Sequence, residues 1–553
     1  MTAGQAQEGG QEIEKVSRVM IQSIGSRGDI QPFIALGVAL KRRGFRVSIF
    51  TNKNHIKFVE SMGLEGEGLW GDFETLMRED PHCLQAMQSG DFLALMKFLH
   101  SEDQRRELRE SVPLYMNAFE KFNPQLVVAG TMLFWFAALA KHHYKVPVIY
   151  GRLSGVPFDG SRSPLGLPNL PFGLAKTMMR FIVRKLWFED EDFDKRVCHN
   201  IGGKRLYGNN GDAFFPVREM EDNLLRKCSE KFDLLAISEQ AADILATGRP
   251  KEVIPTGAWV LDETDQLAKA TEKETEPNSN AFGGVEAFER LKSFLDTHKE
   301  EGVVYLGWGS MVSGTPANMT RFALRTLKLA GAPGVILGGF ARLSPSLLRE
   351  DPTPAADDAE LLEFAETSGR VRFARSAPHE WLFPRCAVVV HHGGAGTTMA
   401  SLRSGSPVVI TPVFADQFDH AYLVEKLRCG HGLRQLQRLQ ASDLSECLRK
   451  ILKEGKYAEY KERAEEVARK ERGEGGLNMA CDLLQEFCRE EVETGEWHKR
   501  LEERHAEVRA KSAEMKGKAG TSHSFRSLSV GVSVGALAVA ATAAAAMMLE
   551  IGF

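Results

Sequence analysis

The sequence predicts an α/β protein made of two doubly wound, Rossmann-like domains that face each other across a cleft. Three observations carry that expectation. A strand, a Gly-rich loop, a helix and a second strand follow one another between Arg18 and Phe50, the βαβ unit from which parallel sheets are assembled. A second succession of short apolar runs, separated by helical stretches, opens at Val303. Between the two, residues 262–284 are charged, rich in Ser, Thr and Asn and nearly free of large apolar side chains, a composition that suits a linker.

Residues 1–16 are polar and read as a disordered start. The first domain is expected over 17–261. Its opening strand, Arg18–Ile24, runs into the loop Gly25-Ser-Arg-Gly-Asp29. Pro32 is expected in a first helical turn, where proline is tolerated, and Phe33, Leu36, Gly37 and Leu40 mark the buried face of that helix. Lys41, Arg42 and Arg43 followed by Gly44 make a helix stop, with cations at the negative end of the dipole. Strand-like runs then follow at Arg46–Phe50, Gln125–Ala129, Val146–Tyr150, Leu234–Ser238 and Val253–Pro255. Within this half, Val156–Leu174 is a long Pro-, Gly- and Phe-rich loop. Leu174–Phe188 is apolar, either a core helix or a surface for an apolar ligand.

The second domain is expected over 285–486, with strands at Val303–Leu306, Val335–Leu337, Val371–Phe373, Ala387–Val390 and Val408–Thr411. Residues 487–527 form a charged helical extension. From Leu528 to Leu549 the chain carries no charge, and Lys511, Lys516, Lys518 and Arg526 lie upstream. That length matches the roughly 20 residues that span a bilayer, and the basic flank would keep the body of the protein on the cytosolic side. The residues are mostly Ala, Gly, Ser and Val, so a weakly helical tail is the competing reading. With no apolar core near Met1 there is no secretory signal, and the expected location is the cytoplasm or the cytosolic face of a membrane.

Composition excludes some classes of function. Lys and Arg number 70 against 74 Asp and Glu, a net charge of −4 over 553 residues, which gives no footprint for nucleic acid. The eight cysteines form no C-x-x-C and suit a reducing compartment. No Asp-x-Asp run stands at a strand end, so no metal is expected.

The most informative segment is Ala387-Val-Val-Val-His-His-Gly-Gly-Ala-Gly-Thr-Thr398. A buried strand enters a Gly-rich turn and then a helix starting near Thr397. Exposed N–H groups and the positive dipole end make such a start an anion site, and His391 or His392 can donate to a phosphate oxygen beside it. An ordinary tight strand–helix turn would look similar. A dinucleotide fingerprint it is not: Gly394 and Gly396 fill two positions of G-x-G-x-x-G, but Met399 fills the third. Asp416-Gln417, at another strand end, pairs an acid with an amide and suits sugar hydroxyls, or is a solvated loop pair. Asp29 is an N-terminal helix carboxylate by its structural reading and a general base by its functional one. Gly307-Trp-Gly-Ser310 supplies a matching loop from the second half, implying one cleft between the domains.

Together these segments resemble a known family. Gly25-Ser-Arg-Gly-Asp-Ile-Gln-Pro32, Ala377-Pro-His-Glu-Trp-Leu-Phe-Pro-Arg-Cys386, His391-His-Gly-Gly-Ala-Gly-Thr-Thr398 and Pro412-Val-Phe-Ala-Asp-Gln417 look like four signatures of the sterol 3-beta-glucosyltransferases, members of the UDP-glycosyltransferases. They stand in the family's order and spacing, from Ser17 to about Glu486. The resemblance implies a GT-B fold with an acceptor domain first and a donor domain second. It implies that Asp29 is the catalytic base and that Ser26, Arg27 and Gly28 line the cleft beside it. Gly307 and Ser310 would lie near the diphosphate, and His392 would contact it. Gly394, Ala395, Gly396 and Thr397 would form the phosphate turn, and Asp416 and Gln417 would hold the sugar. Two departures stand out. Ser376 replaces the uracil-stacking Trp of plant relatives, leaving Trp381 as core. Phe418-Asp-His-Ala421 follows the Asp-Gln pair where the sterol branch usually has aromatic residues and then Gly.

The implied reaction is an inverting transfer of glucose from UDP-glucose, a substrate rather than a cofactor, to a sterol hydroxyl. The lipid acceptor would meet Met132–Ala137 and the apolar stretch near Phe181, if these are not core. Three other readings remain: a transferase for a non-sterol lipid, polyketide or other small apolar acceptor; a non-catalytic UDP-sugar binder; and a nicotinamide oxidoreductase, against which the failed fingerprint argues.

Overall fold

The computed structural model describes residues 15–90, 94, 98, 101–162, 230–261, 284–452 and 456–519. The expected linker, the apolar stretch Leu174–Phe188 and the uncharged tail 528–549 lie outside them. Among the described residues no helix is long and apolar enough to cross a membrane.

Among the described residues, two parallel sheets, of seven and six strands, form the frame. The first has seven strands: β1 (Arg18–Gln22), β2 (Arg46–Asn52), β3 (Glu65–Trp70), β4 (Leu126–Gly130), β5 (Val148–Arg152), β6 (Asp233–Leu235) and β7 (Val253–Pro255), in the order β3-β2-β1-β4-β5-β6-β7. The second has six: β8 (Val304–Gly307), β9 (Gly334–Leu337), β10 (Val371–Ala374), β11 (Val388–His391), β12 (Val408–Ile410) and β13 (Gly430–Gly432), in the order β10-β9-β8-β11-β12-β13. Every pairing is parallel. Helices cover the strands, which explains the unbroken apolar runs of β1, β4 and β11: both faces of these strands are buried. The strand order reverses between β1 and β4 and between β8 and β11. In open α/β sheets the crevice beyond such a reversal is where ligands bind.

The first helix, Arg27–Arg42, begins five residues before Pro32, so the proline sits in the second turn rather than the first. Having no N–H, it withdraws the i+4 donor from the Gly28 carbonyl. The chain's end also departs from the simple expectation. The helix Gly476–Phe487, which straddles the expected domain limit at 486, packs on the first sheet. Ala480, Cys481, Leu484 and Phe487 share a core with Val19, Ile34 and Leu40. Arg43 fixes its side by bonding Asp482, Gln485 (2.7 Å) and the Asn478 carbonyl (3.1 Å). The helix Glu496–Ala519 adds Trp497 and Leu501 to the same core.

The domains meet on two sides of the crevice. Met77, Cys83, Ala86 and Met87, from the helices Phe73–Glu79 and Pro81–Ser89, share a core with Trp308, Met311, Val312 and Leu436 of the second domain. Opposite them, Phe158, Leu235 and Ile237 pack against Met399, Leu402 and Ile410.

Candidate active site

The loop after β1 makes one wall. The Gly25 N–H donates to Asn52 Oδ1 at 3.0 Å, and the Gly25 carbonyl lies 2.9 Å from His55 Nε2. Asp29 folds back over the helix start, and its Oδ2 accepts from the Ser26 N–H at 2.8 Å and the Ser26 hydroxyl at 2.9 Å. A Cβ on Gly25 would stand 2.5 Å from that oxygen, and Gly25 has φ +130°, so glycine is what admits this carboxylate position. Asp29 remains open to water, yet it lies deep in the crevice with protein on both sides. This loss of bulk solvent pushes its pKa up to about 6, against the pull of the Ser26 hydrogen bonds, and the Asp416 carboxylate across the crevice adds to the rise. Arg27 reaches Gln31 Oε1 at 3.2 Å and lies 4.6 Å over the Phe58 ring. Burial lowers its pKa, while Glu74 of the first domain and Glu380 of the second oppose that shift.

The second domain supplies the facing wall. After β8, Gly309 adopts φ +57° and Ser310 is buried. Trp308 anchors the loop by donating its Nε1–H to Thr411 Oγ1 at 2.9 Å. The two histidines ending β11 differ in kind. His391 is locked: Nδ1 accepts the Gly393 N–H at 3.0 Å, so the proton sits on Nε2, 3.2 Å from Ser401 Oγ. His392 is buried, and its Nδ1 has no partner among the described residues. Its ring lies against Gly309 and Gly394, where a Cβ on Gly394 would come within 2.5 Å of Nε2. Burial, then the neighbouring His379 and His420, lower its pKa to about 3, so it is a neutral imidazole at physiological pH.

The helix Ala395–Ser404 starts beside it. Its N-cap, Gly394, has no side chain with which to cap, leaving the first N–H groups of Ala395, Gly396 and Thr397 open to an anion. Gly396 faces the Gly28 carbonyl across the crevice, and a Cβ there would stand 3.2 Å from that oxygen. The two helix starts therefore converge. One is satisfied by its own Asp29, and the other is not.

Asp416 precedes the helix Gln417–Leu427 and is half-buried. Burial raises its pKa, with His420 opposing and Asp419 reinforcing the shift. Gln417 is buried, and its Oε1 accepts from the N–H groups of Val413 (2.8 Å) and Phe414 (3.3 Å). In this arrangement its amide oxygen braces the turn that presents Asp416.

Comparison with known proteins follows the same division. Residues 19–148 match the glycosyltransferase family 28 N-terminal domain, and residues 355–474 match the erythromycin biosynthesis protein CIII-like C-terminal domain. A sterol 3-beta-glucosyltransferase of Vanderwaltozyma polyspora is 25% identical over 471 residues, covering 84% of this chain and 34% of the relative. Another, from Yarrowia lipolytica, is 27% identical over 430 residues, covering 76% and 26%. An uncharacterized glycosyltransferase of Mycobacterium leprae is 27% identical over 472 residues, covering 84% and 95%. The glycosyltransferase of kitacinnamycin superposes with a TM-score of 0.55 at 16% identity, over 86% of this chain and 99% of that one. The chain is similar to sterol 3-beta-glucosyltransferases at low identity, and it has the GT-B fold. It spans about a third or less of the length of these two fungal relatives.

In this GT-B frame Ser26, Arg27, Gly28 and Asp29 come from the first domain, and the other sequence-derived residues come from the second. Gly28 and Gly396 meet across the crevice, whereas Ser310 and Gln417 are buried and Gln417 bonds its own backbone. Trp381 is buried against Phe288 and Arg385, a core residue. The run Met132–Ala137 divides: Leu133, Phe134, Phe136 and Ala137 are core, whereas Met132 is half exposed. His420 and Ser154 escaped the sequence reading. They are 266 residues apart, and only the fold brings His420 Nε2 to 3.3 Å from Ser154 Oγ.

Proposed function

We propose that this chain is an inverting glycosyltransferase that moves glucose from UDP-glucose to the 3-hydroxyl of a sterol. The observation that carries the reading is the opposition of Asp29, a carboxylate with no cation bonded to it among the described contacts, to the uncapped start of the Ala395 helix with neutral His392 beside it. The sterol assignment is supported by the fungal relatives.

In the reaction the acceptor oxygen attacks the anomeric carbon as the bond from that carbon to the diphosphate oxygen breaks. Asp29 takes the hydroxyl proton, and the products are a glycoside with inverted configuration and UDP. A pKa near 6 leaves Asp29 ionised at neutral pH while making it a better base than a carboxylate in water. The departing diphosphate gains negative charge, which the N–H groups of Ala395, Gly396 and Thr397 and a ring N–H of His392 would stabilise. Ser310 and Gly307 flank this position, and Asp416 would accept sugar hydroxyls. The tail 528–549 would bring the crevice to a lipid surface.

Incubation of the full chain with UDP-glucose and a sterol panel, beside Asp29→Asn, tests the reading. A hexosyl-sterol detected by mass spectrometry and lost in the variant supports it. UDP-glucose binding without any sterol adduct removes the sterol assignment.

A further inference from the structure

Behind Asp416, the helix Gln417–Leu427 turns two successive polar residues inward, and the first domain reaches across to both. His420 is fully buried, and its Nδ1 lies 2.6 Å from the Gly393 carbonyl oxygen. A carbonyl only accepts, so Nδ1 carries the proton. In the neutral ring, Nε2 is then an acceptor, 3.3 Å from the hydroxyl of Ser154, which follows β5. The same hydroxyl acts on the Asp416 carboxylate, pulling its pKa down against the rise caused by burial. Asp419, equally buried, pairs with Arg162, whose guanidinium lies 4.9 Å over the Tyr422 ring. The helix has its own apolar anchors in Ala421, Leu423, Val424 and Leu427. Buried polar groups are costly unless paired, and here the pairing is supplied by the other domain.

We propose that Ser154 and His420 are positioning residues that couple the first domain to the donor sugar. This inference rests on the function proposed above. Ser154 has one hydroxyl proton and two acceptors beside it, Asp416 and His420 Nε2. A sugar hydroxyl donating to Asp416 satisfies that carboxylate and leaves the Ser154 proton to His420. The imidazole, held at Nε2, then fixes the Gly393 carbonyl and the phosphate turn that follows. The sugar thus sets the coupling, and the nucleotide alone does not.

Calorimetric titration of the full chain with UDP and with UDP-glucose separates the two ligands. Ser154→Ala removes the shared proton. His420→Asn keeps a donor for Gly393 and loses the contact with Ser154. Both variants are expected to bind UDP as the wild type does and UDP-glucose ~10-fold more weakly, the scale of one hydrogen bond to a charged network. The donor KM should rise accordingly, and the double variant should be no worse than either single one, as expected for one coupled unit. Equal losses for UDP and UDP-glucose, no loss for either, or additive losses in the double variant would overturn the inference. If His420→Asn fails to fold, Ser154→Ala alone decides, because Ser154 is only half-buried. A wild type that binds neither nucleotide overturns the proposed function itself. A wild type that binds UDP-glucose beside unaffected variants overturns only the coupling.

Discussion

At the scale of single residues, Asp29 and His392 make opposite uses of the same solvent-poor crevice. Removal of water raises the carboxyl to about 6 and lowers the imidazole to about 3. Each group is therefore in one form near pH 7, Asp29 charged and His392 neutral. Transfer should rise with pH along a limb centred near 6, because the base works only after losing its proton. Asp29→Asn should lower kcat by about 10²–10⁴ and abolish that limb, with UDP affinity retained. His392→Ala should weaken UDP binding by about tenfold, and the difference from wild type should be the same at pH 5 and pH 8. The loops that carry both residues were legible in the sequence. The residues alone left His391 and His392 open and the resemblance singled out His392; the physical difference lies in the fold, where Gly393 and Ser401 occupy the first ring and Nδ1 of the second has no partner among the described residues.

At the scale of elements, strands with branched apolar residues announced themselves, and two strands did not. β3 reads Glu-Gly-Glu-Gly-Leu-Trp and β13 reads Gly-His-Gly, compositions of low strand propensity that hold only through their neighbours. In β13 the neighbour is so close that a Cβ on Gly430 would fall 1.7 Å from the Val408 carbonyl oxygen. Backbone proximity, which no local pattern encodes, selects that glycine. Gly25 is legible for a different reason, since it belongs to the loop motif, yet its purpose emerges only from the position of Asp29. Gly25→Ala should cost more in kcat than in thermal stability, as the added carbon displaces the carboxylate from its place over the helix start. Parallel melting and turnover measurements would show that contrast.

At the scale of the molecule, the joint between domains contains an acid held out of its usual state. Glu471, from the helix Tyr457–Gly473, is buried and accepts a hydrogen bond from Ser238 of the first domain. Burial raises its pKa to about 7. The folded protein therefore keeps this proton where the unfolded chain has already released it, above roughly pH 4.5, and stability falls as pH rises from there through about 7. Glu471→Gln should be more stable than wild type at pH 8 by about 1–3 kcal/mol and nearly equal to it at pH 4, as read by denaturant titration. The C-terminal helices make a larger contribution. A chain ending at Gly475 would leave the partners of Leu484, Phe487, Trp497 and Leu501 uncovered. At about 1.5–3 kcal/mol for each buried side chain, the loss rivals the whole stability of a typical domain, so the first domain should melt early or not fold.

That return of the C-terminus has a consequence for the order of events during synthesis. The first sheet leaves the ribosome early, but the helices that close its outer face are made only after the whole second sheet. Until they emerge, a strip around Val19, Ile34 and Leu40 faces solvent, and the nascent chain must wait hundreds of residues to cover it. Folding of the amino-terminal half is thereby tied to completion of the carboxyl-terminal half, and a ribosome that stalls within the second domain would release an amino-terminal half prone to aggregate.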